Sequence, residues 1–421
     1  MGDLSPMAPI RSVDLRGKLD SDQITGSSQS QPHSPSGVIS QVASGAALAG
    51  SLGASSWIEI DQAALAHNLN YLKKLVGPQV KLAVVAKSNA YGCGLVPIAQ
   101  LCQHNINVAY LCVFSVAEDL TVRAQGFTKP ILVLGFHGWD PVALARALQQ
   151  QIDLTVYDVA QLEQLQVLAQ QLGQRARLQI KVDTGLARLG FTPAVVRELY
   201  LTAQFQRQFP HLQITGIYTH LAISEQPDAP FSQHQLTQLS ALVAAAKAQN
   251  YDLGLVHAAG SACAFLTNAA NFDLVRLGGM TYGLSKFPNP NLKFILRWCT
   301  RVIQLKQLPA QVAVGYGQTF VTTRPTRLAV VPVGYTDGYD RRLSNRGQVL
   351  VNGVLAPVVG RVAMNMLTID VTAVPEVAVG TVVTLLGATA GITPADWSAA
   401  AGSYIYETTV QLNPNIPRLL S

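Results

Sequence analysis

What most constrains this chain is an alternation repeated along its length: short apolar runs rich in β-branched residues, each followed by a segment whose apolar positions recur at helical spacing. The runs are LAVVA (82–86), VAYLCVF (108–114), PILVLG (130–135), DLTVY (153–157), LQIKVD (178–183), ITGIYTH (214–220), LGLVHA (253–258) and FDLVRLG (272–278). Each is too short for a helix. Between them lie amphipathic stretches such as VAEDLTVRAQ, PVALARALQQ, VAQLEQLQVLAQQL and HQLTQLSALVAAAKAQ. Strand–helix alternation implies parallel strands joined by right-handed crossovers, and about eight strands is the number that closes a β/α barrel. An open doubly wound sheet is the competing architecture, but no G-x-G-x-x-G or G-K-[ST] loop accompanies any of the runs. Unusual polar residues fall at the run ends, namely Lys87, Lys181, His220, Ser261 and Arg276, and barrel enzymes carry their chemistry at the C-terminal ends of the strands.

The pattern begins at Trp57 with the alternating run WIEID and the helical QAALAHNLNYLKKLVG, and it changes again near Asn291. Beyond that point the chain reads as β segments and turns, and Asn352-Gly353 between apolar runs is a hairpin signal. The expected organisation is a flexible, disordered tail or an over-long gene start over residues 1–55, a β/α barrel over 56–295, and a mainly β C-terminal domain over 296–421. Hydrophobic residues are 49% and charged residues 13% of the 421, and the net charge of +6 is scattered with no basic run. Neither a disordered chain nor a nucleic-acid binder fits those figures. No window approaches the roughly 18 consecutive apolar residues of a membrane-spanning helix, so no membrane association is expected. The apolar stretch 38–54 is broken by Ser, Gln and Gly and follows a leader without a basic region, which argues against a secretory signal. Five widely spaced cysteines, an odd number with no C-x-x-C pair, predict neither a disulfide framework nor a metal site. A reducing compartment, the cytoplasm, is the expected location.

The segment AVVAKSNAYGCG (83–94) sets Lys87 at the end of an apolar strand and follows it with small residues, Tyr91, Gly92 and Gly94. Taken alone, Lys87 reads either as a lysine snorkelling from a barrel rim or as an amine that desolvation makes nucleophilic towards an aldehyde. The whole string resembles the pyridoxal-phosphate lysine motif of the alanine racemases, V-K-A-N-A-Y-G-H-G. The resemblance runs from about Trp57 to Arg418 through IKVDTGLARLG (180–190), GIYTHLA (216–222), HAAGSA (257–262), LVRLGGMTYGL (274–284), VGYGQTF (314–320), VPVGYTDGY (331–339), VGRVAMN (359–365) and YIYE (404–407). It implies an eight-stranded barrel followed by a β domain, in agreement with the alternation.

By that resemblance Lys87 holds pyridoxal 5′-phosphate covalently and acts as one of two catalytic bases. Tyr316 is the other, serving the active site of the neighbouring subunit of a homodimer from the opposite face. His220 contacts the cofactor ring and bonds that tyrosine. A phenol with an ordinary pKa near 10 needs such help to act as a base. Arg276 faces the ring nitrogen, and a guanidinium can only donate there, which discourages ring protonation and the transamination that follows from it. Tyr91, Ser261, Gly278, Gly279 and Tyr406 are implied to hold the phosphate. Arg188 and the backbone N–H of Met364 are implied to hold the carboxylate of a small amino-acid substrate, Lys181 corresponds to a position often carbamylated, and Tyr335 to the entrance. Ser88, Cys93 and Asn365 depart from the usual Ala, His and Asp, and loss of a negative charge at Asn365 opens the substrate range to serine or larger amino acids. The implied activity interconverts L- and D-alanine for peptidoglycan. Two alternatives remain: a decarboxylase on a similar scaffold, which usually carries a triple-glycine phosphate loop where this chain has only Gly278-Gly279, and a non-catalytic pyridoxal-phosphate carrier, which resembles the barrel alone.

Overall fold

A computed structural model of the chain describes residues 53–421 apart from 286 and 288. The expectations for the first fifty-two residues therefore lie outside the described residues. Each of the eight apolar runs is a strand: β2 Lys81–Val85, β3 Val108–Val113, β4 Ile131–Val133, β5 Asp153–Val156, β6 Ala176–Lys181, β7 Leu212–Tyr218, β8 Leu255–His257 and β9 Leu274–Leu277. They pair in parallel in the order β8-β7-β6-β5-β4-β3-β2-β9. The ends of that sheet meet through a parallel bridge between Gly260 and Arg276 and a bond from Arg276 N–H to Ala259 O of 3.1 Å, which nearly closes the barrel. Helices cover the outside. Their starts obey local capping chemistry: Ser115 and Glu118 form a capping box at Val116–Ala124, and Asp140 and Asp158 cap Pro141–Gln149 and Val159–Gln171.

The first strand, β1 Ser56–Ile60, corrects the domain boundary drawn from the sequence. It takes no part in the barrel but sits in a C-terminal sheet, antiparallel to β10 (Leu296–Arg301) and parallel to the last strand, Arg418–Leu420. Paired on both edges, all five residues are buried rather than alternately exposed. Glu59 is accommodated there because it accepts from Trp57 Nε1 at 2.8 Å and is ion-paired with Arg297. The described chain thus enters and leaves through one sheet, and the described residues belong to a single compact unit. In the C-terminal region the Asn352-Gly353 hairpin forms as expected: Val351 pairs with Val354, and both turn residues have positive φ, 48° and 79°.

The turn after β2 was not foreseen. Ser88, Asn89, Ala90 and Tyr91 all have φ between 52° and 55°, a left-handed turn that costs on the order of 1–2 kcal/mol per residue. Hydrogen bonds over-determine it: Ser88 N–H donates to Glu118 Oε1 at 2.9 Å, and Leu95 N–H donates to Asn89 Oδ1 at 2.8 Å. Gly92 O accepts from Arg418 Nη2 at 3.1 Å. Gly92 lies so close to the C-terminal region that a Cβ there would meet Thr409 O at 1.9 Å. Gly92→Ala is therefore expected to cost about 2–4 kcal/mol through steric overlap and positive φ. Urea unfolding of the variant beside the parent protein measures this, and a loss under about 1 kcal/mol would refute the close-approach argument.

Candidate active site

The C-terminal ends of the barrel strands open into a cavity of about 510 Å³. Ten residues singled out from the sequence line it together: Lys87, Tyr91, Lys181, Arg188, His220, Ser261, Arg276, Gly278, Gly279 and Tyr406. Parallel pairing explains the convergence of those on the barrel, since residues at or just after the ends of successive strands meet at one end of the barrel whatever their separation along the chain. Tyr406 reaches the same mouth from the C-terminal region.

Arg276 defines the floor. Its side chain is buried on β9, and among the described residues no carboxylate lies against it. Instead Nη2 donates to Thr219 O at 2.8 Å and Ala258 O at 2.9 Å and faces His220 Nδ1 at 3.3 Å, while Nη1 donates to His257 Nδ1 at 2.5 Å. Burial first, then the nearby cations led by Arg276, hold the pKa of both His220 and His257 well below the ordinary histidine value, so both rings are neutral acceptors at pH 7. Lys181, at the end of β6, is also buried, with its Nζ 4.7 Å from the Tyr218 ring centre. Desolvation and then Arg276 and Arg188 push its pKa well below the usual lysine value.

Lys87 follows β2 at the start of the left-handed turn. Its pKa is lowered by burial and by Arg188, and partly restored by Glu118. Arg188 reaches the cavity on a loop shaped by the Asp183 carboxylate, which accepts from Gly185 N–H at 2.9 Å and Ala187 N–H at 3.1 Å. Opposite lies a cradle of small residues and hydroxyls. Gly278 N–H donates to Ser261 Oγ at 2.8 Å, and a Cβ on Gly278 would sit 2.4 Å from Tyr91 Oη. A Cβ on Gly279 would sit 2.7 Å from Tyr406 Oη. The two tyrosine rings meet edge-on at 5.5 Å, and burial raises the Tyr91 pKa to about 12.

Tyr316, Met364 and Tyr335 are not in the cavity of their own chain. All three lie on the surface, Tyr316 73% exposed on a short turn between two strands of a small hairpin. Asn365 donates to Thr336 Oγ1 at 2.8 Å, and Cys93 is fully buried with a thiol pushed up to about 12, an inert packing residue. Sequence reasoning missed Glu225 and Tyr404, which also line the cavity, and His257 and Gln179, which support its floor. His257 was legible as the opening residue of HAAGSA at a strand end; Gln179 carried no signal because its neighbours in a strand reveal nothing of what lies across the barrel.

A barrel whose strand ends gather a desolvated lysine, a buried arginine and a glycine–hydroxyl cradle, joined to a β domain through the first and last strands, defines a β/α-barrel enzyme with group-binding chemistry at its mouth. Residues 60–286 match the family model "Alanine racemase, N-terminal domain" and residues 295–420 the model "Alanine racemase, C-terminal domain". Alanine racemases of Syntrophobacter fumaroxidans and Desulfovibrio desulfuricans are 37% and 35% identical to it, each over 86% of this chain and over 96% and 97% of their own lengths. The crystal structure of alanine racemase from a D-cycloserine-producing Streptomyces lavendulae superposes with a TM-score of 0.79 at 32% identity, covering 87% of this chain and 97% of that one. That from Clostridium difficile 630 superposes at 0.80 with 26% identity, covering 87% and 96%. The chain belongs to the alanine racemase family and is an isomerase.

Because Arg188 lowers the Lys87 pKa and Glu118 raises it, Arg188→Gln is expected to move the onset of Lys87 reactivity to higher pH and Glu118→Gln to lower pH. Reductive methylation of the ligand-free protein across a pH series, read by peptide mass spectrometry at Lys87, measures both shifts. Equal midpoints in all three proteins would show that burial alone sets the value.

Proposed function

We propose that this protein is a pyridoxal 5′-phosphate-dependent racemase that interconverts L- and D-alanine by two bases, Lys87 of one subunit and Tyr316 of the other, in a cytoplasmic homodimer supplying D-alanine for peptidoglycan. The observation that carries the reading is the pairing, in one cavity, of an amine with depressed pKa and a buried guanidinium that has no carboxylate partner among the described residues. The donor set fits the cofactor. Lys87 is a primary amine poised for an aldehyde; the Tyr91, Ser261 and Tyr406 hydroxyls gather at the backbone of Gly278 and Gly279, where a Cβ on either glycine would overlap a tyrosine, and this donor set suits a phosphate. When bound, the cofactor supplies an electron-withdrawing ring that acidifies the α-proton of the substrate.

The residues of the chain then divide the work. Arg276 is a permanent donor, so it keeps a proton off an aromatic nitrogen lying against it and favours return of a proton to the α-carbon over its loss to side reactions. Arg188 matches a substrate carboxylate with its two-pronged fork, beside the Met364 backbone N–H of the second subunit. Lys181, a buried amine that desolvation and then Arg276 and Arg188 hold towards its neutral form, is suited to add to carbon dioxide, forming an N–C bond and releasing one N–H proton to solvent, and the resulting carbamate anion would position Arg188. Lys87 takes or returns the α-proton on one face. The other face falls to Tyr316 of a second copy, and the exposed positions of Tyr316, Tyr335 and Met364 support their insertion there. The decarboxylase alternative is disfavoured by Arg276, because decarboxylation gains from a protonated ring nitrogen held by a carboxylate, and none lies against this guanidinium.

Lys87→Ala and Tyr316→Phe are each expected to lose nearly all racemisation, and borohydride to fix the cofactor at Lys87. Mixing the two inactive proteins under conditions that exchange subunits is expected to restore about a quarter of parental activity, because half the dimers are mixed and each of those regains one intact site. Chiral chromatography of alanine measures the recovery. Absence of any recovery after verified exchange would place Tyr316 in the site of its own chain and overturn the shared-site mechanism.

A further inference from the structure

Beneath Arg276 a continuous hydrogen-bonded chain crosses the barrel interior to a buried carboxylate. Asp153, the first residue of β5, is 1% exposed. Its Oδ1 accepts from Arg177 Nε at 2.6 Å, and its Oδ2 accepts from Tyr110 Oη and from Gln179 Nε2, each at 3.1 Å. On the other side of the same amide, Gln179 Oε1 lies 2.7 Å from His257 Nε2. His257 Nδ1 in turn lies 2.5 Å from Arg276 Nη1. The histidine ring is held in plane by stacking on Tyr218, 4.6 Å away and within 5° of parallel, and Tyr218 is itself anchored through Thr155 Oγ1 at 2.9 Å. Gly216 leaves room for the amide, since a Cβ there would stand 3.0 Å from Gln179 Cδ.

The direction of every bond in this chain follows from its two ends. A carboxylate only accepts and a guanidinium only donates. Asp153 therefore obliges Gln179 to present its NH2 on that side and its carbonyl oxygen to His257. The carbonyl obliges His257 to carry its proton on Nε2, which leaves the Nδ1 lone pair for Arg276. We propose that Asp153 is a positioning residue for the reaction: through the Gln179 amide it fixes the tautomer of His257 and so the aim of the Arg276 guanidinium into the active-site cavity. The catalytic consequence rests on the function proposed above; the tautomer does not.

Asparagine at position 153 reverses the polarity. Arg177 retains the amide oxygen on its side, so the new NH2 faces Gln179. The Gln179 amide then turns over, its own NH2 donates to His257 Nε2, and the ring proton moves to Nδ1, where it meets an Arg276 N–H donor against donor. Adding Gln179→Glu restores the original direction at His257, because a carboxylate at 179 accepts both from the new NH2 at position 153 and from His257 Nε2 and also returns the lost negative charge. Tyr110→Phe removes a donor to Asp153 without altering any direction.

The test uses holoenzyme labelled with 15N-histidine, with the His257 ring signals assigned by their loss in His257→Gln. The parent and Tyr110→Phe are expected to show the proton on Nε2, Asp153→Asn to show it on Nδ1, and Asp153→Asn/Gln179→Glu to show it on Nε2 again. Alanine racemisation is expected to fall about ten- to a hundredfold in kcat in Asp153→Asn, the range for losing a hydrogen bond to a charged group, and to recover at least in part in the double variant. An Nε2 proton in Asp153→Asn, an Nδ1 proton in Tyr110→Phe, or a double variant with matching thermal stability and no restoration of the tautomer would each overturn the proposal. If Asp153→Asn does not fold, the double variant and Tyr110→Phe still decide it. A protein that shows the expected tautomers and racemises nothing would leave the relay standing and refute the proposed function instead.

Discussion

The interior of the barrel holds a permanent cation with no carboxylate against it among the described residues, and much of the site is arranged around that fact. A guanidinium cannot shed its proton to relieve the cost of burial, so the neighbours of Arg276 must accept from it. Two backbone carbonyls and two histidine nitrogens do so. Burial first, and then the cations led by Arg276, keep the histidines neutral, and Lys181 and Lys87, which approach the same space, lie below the usual lysine pKa because burial and further cations both disfavour their charged forms. The field left over points into the cavity and favours an anionic occupant.

The second constraint is mechanical. Four consecutive left-handed residues after Lys87 are unfavourable in isolation, and they persist because the surroundings fix them from three directions: Glu118 from the next barrel helix, Asn89 from within the turn, and Arg418 with Thr409 from the far end of the chain. The pairing of β1 with β10 and with the last strand brings that far end to the barrel rim. The C-terminal region thus completes the turn that presents Lys87 and Tyr91, and Tyr406 from the same region closes the cradle over Gly279.

Much of this was legible in the residues. The eight strands were readable because buried parallel strands are short continuous apolar runs, and the Asn352-Gly353 hairpin because only residues tolerant of positive φ make that turn. Five polar residues, Lys87, Lys181, His220, Ser261 and Arg276, could be assigned to one mouth because strand-end position determines which end of a barrel a side chain meets, and Tyr91, Arg188, Gly278, Gly279 and Tyr406 were assigned by the family resemblance. The place of Ser56–Ile60 was not legible: its composition suits any buried strand, and its partners lie more than two hundred residues away. Nor was the left-handed turn, for Ser, Asn, Ala and Tyr have no shared local preference for positive φ, and tertiary bonds override what preference they have. Gln179 was opaque for a related reason, since its hydrogen bond to His257 crosses the barrel and joins residues that the chain order keeps apart.

The sequence by itself determined the order of the elements, the barrel with its β domain, the membership of the alanine racemase family, and which chemical groups could meet at the strand ends, because periodicity and strand termini are local properties that each segment carries with it. Only the tertiary structure decided the protonation of those groups and their direction. Desolvation, opposed or matched charges and the polarity of a hydrogen-bonded chain are sums over neighbours brought together by folding, and no single segment contains them.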